Sequence, residues 1–288
     1  MVSNPSAASV FNILANHARF ARTEMDAVVP QATYLTILRD PIARFESVFG
    51  YYKMDKQLKL DKHPNPIEAF LENPDYYFNK RPFMYIQLKN GMMYSLGLDH
   101  HFHDNTTRVL EKIEQLDREF DLFMMTEYFD ESLVLMKQIL CWDTDSMMYL
   151  PKGLRKESRR FNLTDEMKAK IRAWNAADVM LYNHFNQTFW RKVQEYGNNF
   201  QEDLHTMQKS VKQVYETCID ADGSSRGRRD PRERFLALHK NASKYCHLLN
   251  ERLDYFVNIA RVRQDTPSTH KGRPFCKDTT PLLKVQKN

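Results

Sequence analysis

Arg39 and Ser47 stand eight positions apart in a stretch that begins apolar and turns helical, Thr33–Tyr52, TYLTILRDPIARFESVFGYY. An arginine just beyond the end of a strand, with a hydroxyl on the following helix, can hold a phosphate through charge-assisted hydrogen bonds. Each such bond contributes roughly 1.5–3 kcal/mol net. The same residues also allow a plainer reading, in which Arg39 pairs with Asp40 and Asp40 caps the helix. His17, in Asn16-His17-Ala18-Arg19, follows a short apolar run. An imidazole is the side chain type suited to general-base work, but a lone histidine there also serves as a satisfied structural residue. Arg19 reads as a salt-bridge partner or a further anion contact. Glu127 stands at the end of a second apolar run, where it could orient a hydroxyl or cap the next helix.

The elements that must position these groups follow from local pattern. Tyr34–Leu38 is rich in β-branched and large apolar residues and reads as a buried strand. Asp40 suits an N-cap and Pro41 the first helical position. Ile42, Phe45, Phe49 and Tyr52 then recur at helical spacing. Asp121–Thr126 reads as a second buried strand, with the helix Phe129–Cys141 directly after it. Strand-to-helix alternation predicts a parallel sheet flanked by helices, and ligands of such sheets sit outside the carboxyl ends of the strands.

Elsewhere a helix is predicted over Thr23–Val29, capped by Thr23, and another over Thr107–Phe120 with Leu110, Ile113 and Leu116 inward. From Thr164 a single long helix is expected up to Gly197, its core face made by Met167, Ile171, Trp174, Leu181, Phe185 and Phe189. Phe200–Thr217 reads as a more polar helix. Residues 221–234 read as a charged flexible linker, 235–263 as a C-terminal helix and 264–288 as a disordered tail. Residues 75–104 are aromatic and polar, of the composition that sugar rings stack on or that packs a local pair of surface helices. His100, His101 and His103 lack a carboxylate at helical spacing, so no metal is expected there.

The chain has 288 residues and a formal charge of +5. That is enough to bury a core and suits an anionic ligand, but no nucleic-acid module is recognisable. No apolar run reaches the length of a membrane span. Four sequons, at Asn105, Asn162, Asn186 and Asn241, are glycosylation candidates. The four cysteines allow two disulfides or none, and Cys218 with Cys246 would tie the late chain back to the body.

Arg39-Asp40-Pro41 with Ser47 resembles the 3′-phosphate-binding segment of sulfotransferases that use PAPS (3′-phosphoadenosine 5′-phosphosulfate). Together with FNILANHARF at Phe11–Phe20, EYFDESLVLMKQILCW at Glu127–Trp142 and AWNAADVMLYNHFNQTFWRKV at Ala173–Val193, it is similar to the galactose-3-O-sulfotransferases over roughly Val10 to Ile219. The resemblance implies a P-loop-type sulfotransferase α/β fold over 1–220, incomplete at its N-terminus, with a helical C-terminal extension. It implies PAPS as donor with no metal required, and a galactose-terminated glycolipid or glycoprotein glycan as acceptor. It also implies the luminal side of the Golgi membrane, reached through an anchor that this chain does not contain, and leaves a homodimer open. His17 becomes the candidate general base, Arg39 and Ser47 the 3′-phosphate ligands, and Arg155, in a basic loop with Lys152, a cofactor contact. Nothing before the first matching block resembles the family's lysine- and threonine-rich 5′-phosphosulfate loop. This chain alone is therefore expected to transfer sulfate poorly, and a non-catalytic luminal protein that binds a glycan or a partner is the alternative.

Overall fold

Pro41 and Asp40 set where the first strand gives way to helix. In the computed structural model β1 spans Leu35–Leu38 and α1, the helix after it, Pro41–Tyr51. Asp40 Oδ1 accepts the Ala43 N–H at 2.9 Å, the N-cap read from the sequence. Ile42, Phe45 and Phe49 are buried, whereas Tyr52 lies just past the helix end and is 44% exposed, so the stripe stops one turn short. The structure describes residues 13–15, 17–80, 85–151, 154–155, 160–220, 233–234, 236–252 and 255–259. They fall into two units, one drawn from residues 10–129 and 157–191, the other from 1–9, 130–156 and 192–288.

The first unit is mostly helical around a small parallel sheet. β2, Leu122–Met125, pairs with β1 in the register Leu35↔Leu122 to Leu38↔Met125. All four β2 residues are buried, as expected, but β1 is not a fully buried strand: Ile37 is 46% exposed. The segment between them supplies the crossover that a parallel pair requires. Its last helix, Thr106–Glu119, buries Val109, Ile113 and Leu116 and leaves Leu110 exposed. The stripe read from the sequence was therefore one residue out at its first position. The helix Arg22–Val28 starts after Ala21 without a side-chain cap, so Thr23 does not cap it. The main core gathers Phe45, Phe49, Phe70, Ile171 and Trp174.

The long helix expected after Thr164 is two helices, Asp165–Trp174 and Ala176–Tyr196. Asn175 breaks them because its side chain is drawn into a buried network, with Oδ1 accepting the Asn90 N–H at 2.7 Å. Met167, Ile171, Trp174, Leu181, Phe185 and Phe189 are nonetheless all buried.

In the second unit the helix Phe200–Cys218 leads into a two-residue strand, Ile219–Asp220, antiparallel to Ala237–Leu238. A disulfide joins Cys218 to Cys246, and both pack with Leu150 and Ile219 in a small core. The C-terminal helix expected over 235–263 is corrected by this pairing. Strands occupy Glu233–Arg234 and Ala237–Leu238, and helix begins only at Lys244, capped by Ser243, and runs to Asn250. Most of the linker and all of the tail lie outside the described residues. No helix among the described residues is long and apolar enough to cross a membrane.

Candidate functional site

The carboxyl ends of β1 and β2 lie side by side, because the register sets Leu38 opposite Met125. Arg39 leaves β1 at that point, half-buried, and forms no hydrogen bond or ion pair with any described residue. Asp40 does not neutralise it. The Asp40 carboxylate is turned onto the start of α1, and its N–H donates to Glu127 Oε1 at 2.9 Å. Ser47 lies half-buried two turns along the same helix, its hydroxyl also without a hydrogen-bond partner among the described residues. An unpaired guanidinium at the end of β1 and an unbonded hydroxyl two turns along the next helix each offer the donor chemistry that a phosphate needs. The start of α1 adds less than its position suggests. Pro41 has no N–H and Asp40 occupies that of Ala43, so the helix contributes its dipole rather than a cradle of free amides.

Glu127 does not cap the helix that follows. Besides the Asp40 amide, it accepts the Tyr182 O–H on Oε2 at 3.1 Å. Burial, then the nearby Glu127 charge, raises the Tyr182 pKa well above the ordinary phenol value, so the hydroxyl keeps its proton and donates. Thr126 Oγ1 donates to the Leu38 carbonyl at 2.9 Å. Tyr182 carried no signal in the sequence, since its role depends on a contact across 55 residues.

A second polar cluster forms around Arg44, on the same helix as Ser47. Arg44 Nη1 donates to the Gln87 carbonyl at 2.8 Å and Nη2 to Gln87 Oε1. Burial lowers the Arg44 pKa, against the opposing pull of Asp178, and Arg39 lowers it further. Asp178, 1% exposed, accepts the Met92 N–H at 3.1 Å and the Met93 N–H at 2.8 Å, capping the helix Gly91–Ser95. Burial raises its pKa, partly offset by Arg44 and these two amides. The Asp178 N–H in turn donates to Asn90 Oδ1 at 3.0 Å. The Asn90-Gly91 pair is a turn signal, and an aspartate next to an apolar helix stripe is a burial warning. Those two signals could have located this cluster from the sequence.

The other candidates belong to other elements of the chain. His17 is exposed. Arg19, two residues on, donates through Nε and Nη2 to the carbonyls of Tyr94 at 3.1 Å and Gly97 at 3.0 Å. Arg155 lies in a two-residue strand of the second unit opposite Glu233, and Lys152 falls outside the described residues. Asn105, Asn162 and Asn241 are exposed, whereas Asn186 is half-buried within a helix. His103 is separated from its neighbours by burial and bonds the Leu98 carbonyl at 3.2 Å through Nε2. Asp99, which the spacing argument passed over, joins His100 and His101 in a turn where their potential ligand atoms all lie within 4.8 Å of one another.

The family model for galactose-3-O-sulfotransferase matches residues 1–244. The chain is 36% identical over 214 residues to galactosylceramide sulfotransferase of Mus musculus, covering 73% of this chain and 50% of the relative. It is 40% identical over 191 residues to galactose-3-O-sulfotransferase 3 of Bos taurus (65% and 44%). With galactose-3-O-sulfotransferase 2 of Sus scrofa it shares 32% over 222 residues (76% and 55%). The chain thus spans about half the length of the curated relatives it matches. No solved structure matches it. On this similarity and on the strand-turn-helix that carries Arg39, the chain belongs to the galactose-3-O-sulfotransferase family.

Proposed function

We propose that this chain serves a sulfotransferase that moves the sulfuryl group of PAPS to the 3-hydroxyl of a terminal β-galactose on a glycolipid or glycan, with Arg39 and Ser47 receiving the donor's 3′-phosphate. The observation that carries the reading is the half-buried Arg39 guanidinium, left without a counter-ion among the described residues at the carboxyl end of β1. The family's P-loop type of fold and its PAPS donor come with this reading.

The chemistry is an in-line transfer. The acceptor oxygen bonds to sulfur, the bond from sulfur to the bridging phosphate oxygen breaks, and adenosine 3′,5′-bisphosphate leaves. The hydroxyl proton must pass to a base, and His17 is the candidate, an imidazole open to solvent. Arg39 and Ser47 would hold the nucleotide through its 3′-phosphate, remote from the reacting sulfur, so their contribution is to affinity and orientation. The Cys218–Cys246 disulfide supports a luminal, oxidising compartment such as the Golgi.

The test is labelled sulfate transfer from PAPS to galactosylceramide and to a soluble β-galactoside, with the sulfated position mapped. Transfer by this chain alone is expected to be poor, and whatever sulfate it does transfer should sit on the 3-hydroxyl of galactose. Sulfate at another position contradicts the acceptor assignment, and nucleotide binding without any transfer favours the glycan-binding alternative.

A further inference from the structure

A residue's side chain is aimed by its own two backbone dihedrals, because the peptide groups on either side are planar. Both peptide groups flanking Arg39 are held by one dipeptide. The carbonyl of the Leu38–Arg39 peptide accepts the Thr126 hydroxyl at 2.9 Å, and the N–H of the Arg39–Asp40 peptide donates to Glu127 Oε1 at 2.9 Å. The parallel register makes this possible, since Leu38 pairs with Met125 and the next two residues of that strand's chain reach across. Tyr182 holds the other Glu127 oxygen at 3.1 Å, so the carboxylate has a donor on each side. Arg39 itself forms no ion pair with Glu127 or with Asp40, although both carboxylates are close to its backbone.

We propose that Thr126, Glu127 and Tyr182 are positioning residues that aim the Arg39 guanidinium at the 3′-phosphate of an adenosine nucleotide. The inference rests on the reading of Arg39 as a phosphate ligand. The Thr126-Glu127 pair fixes the peptide planes around Arg39. Occupying both Glu127 oxygens with other donors keeps the carboxylate from drawing the guanidinium to itself, so Arg39 remains available to an incoming anion. A clamp that merely joined β1 to β2 would not need to engage both sides of this one residue.

The experiment uses the full chain and two probes, adenosine 3′,5′-bisphosphate and adenosine 5′-monophosphate, whose affinity ratio isolates the 3′-phosphate. Glu127→Ala and Thr126→Val should each lower that ratio roughly tenfold, the loss of about one charge-assisted bond's worth of alignment, with little change in melting temperature. Glu127→Gln and Thr126→Ser, which keep an acceptor and a hydroxyl, should restore it, and Tyr182→Phe should fall between. Hydrogen exchange at the Asp40 amide should speed up in Glu127→Ala and stay slow in Glu127→Gln. If Arg39→Ala abolishes the ratio while folded Glu127→Ala and Thr126→Val keep it, the positioning inference fails alone. If wild-type shows no preference for the 3′-phosphorylated probe, or Arg39→Ala leaves the preference intact, the phosphate site itself fails and the inference with it.

Discussion

The polar groups at the start of the helix Gly91–Ser95 and those at the carboxyl ends of β1 and β2 use the same bond, a side-chain carboxylate accepting backbone N–H groups. Asp178 does so at 1% exposure, beside an arginine that is itself held by Gln87. Glu127 does so as an exposed residue. Water competes for Glu127, which accepts one N–H and the Tyr182 O–H, and not for Asp178, which accepts two N–H groups, so losing the two sets has unequal consequences. Loss of the buried set leaves two amides with no alternative partner and removes the charge that opposes the burial of Arg44, which keeps its Gln87 bonds. Loss of the exposed set costs little stability and changes where Arg39 points. A sequence shows two acidic residues; only their surroundings separate a structural role from a functional one.

The sharpest way to break this comparison is Asp178→Ala, which should destabilise the protein by about 2–5 kcal/mol in urea unfolding, because it leaves the buried amides of Met92 and Met93 without a partner at roughly 1–3 kcal/mol each. A loss below 1 kcal/mol would put Asp178 on the same footing as Glu127.

His103 extends the buried side of the comparison to pH. It is 4% exposed, and burial lowers its pKa to about 4, with His100 and Lys89 adding to the fall and the Leu98 carbonyl and Asp104 opposing it. The fold therefore favours the neutral ring, while the unfolded chain takes up a proton near its ordinary pKa of about 6.5. Stability should be full above that value and fall as pH drops from about 6.5 towards 4, by roughly 2–3 kcal/mol in all. His103→Asn should flatten that slope in urea melts taken across the range; an unchanged slope would remove His103 as its source.

Gly91 sharpens the comparison from within the buried cluster. A Cβ there would collide with Arg44 Nη2 and come within 2.9 Å of Gln87 Oε1. Gly91→Ala should therefore cost about 1–3 kcal/mol by displacing the guanidinium, even though alanine is the better helix former. A neutral or stabilising result would show that Arg44 has room to move. The smallest effect on stability belongs to Glu127→Ala, expected within about 1 kcal/mol because both of its bonds face water.

The sequence was legible where the determinants are local. Asp40 and Pro41 announce the turn that carries Arg39, and the apolar spacing from Met167 to Phe189 names a buried face correctly through a break in the helix. The break at Asn175 was not legible, because its cause is the Asn90 amide, 85 residues away. The Thr126-Glu127 brace was hidden for the same reason: a carboxylate just before a helix reads as a cap until the strand register shows that another backbone is nearer. At the C-terminus, Cys218 and Cys246 were read as a tie but the intervening strands were not, since two-residue pairings leave no periodic trace.

The central claim is that Arg39 holds the 3′-phosphate of the donor nucleotide. Calorimetric titration of the full chain with adenosine 3′,5′-bisphosphate, wild type against Arg39→Ala, tests it most directly. The account predicts that the substitution weakens binding by about tenfold or more while the protein stays folded; equal affinity in the two proteins would contradict it.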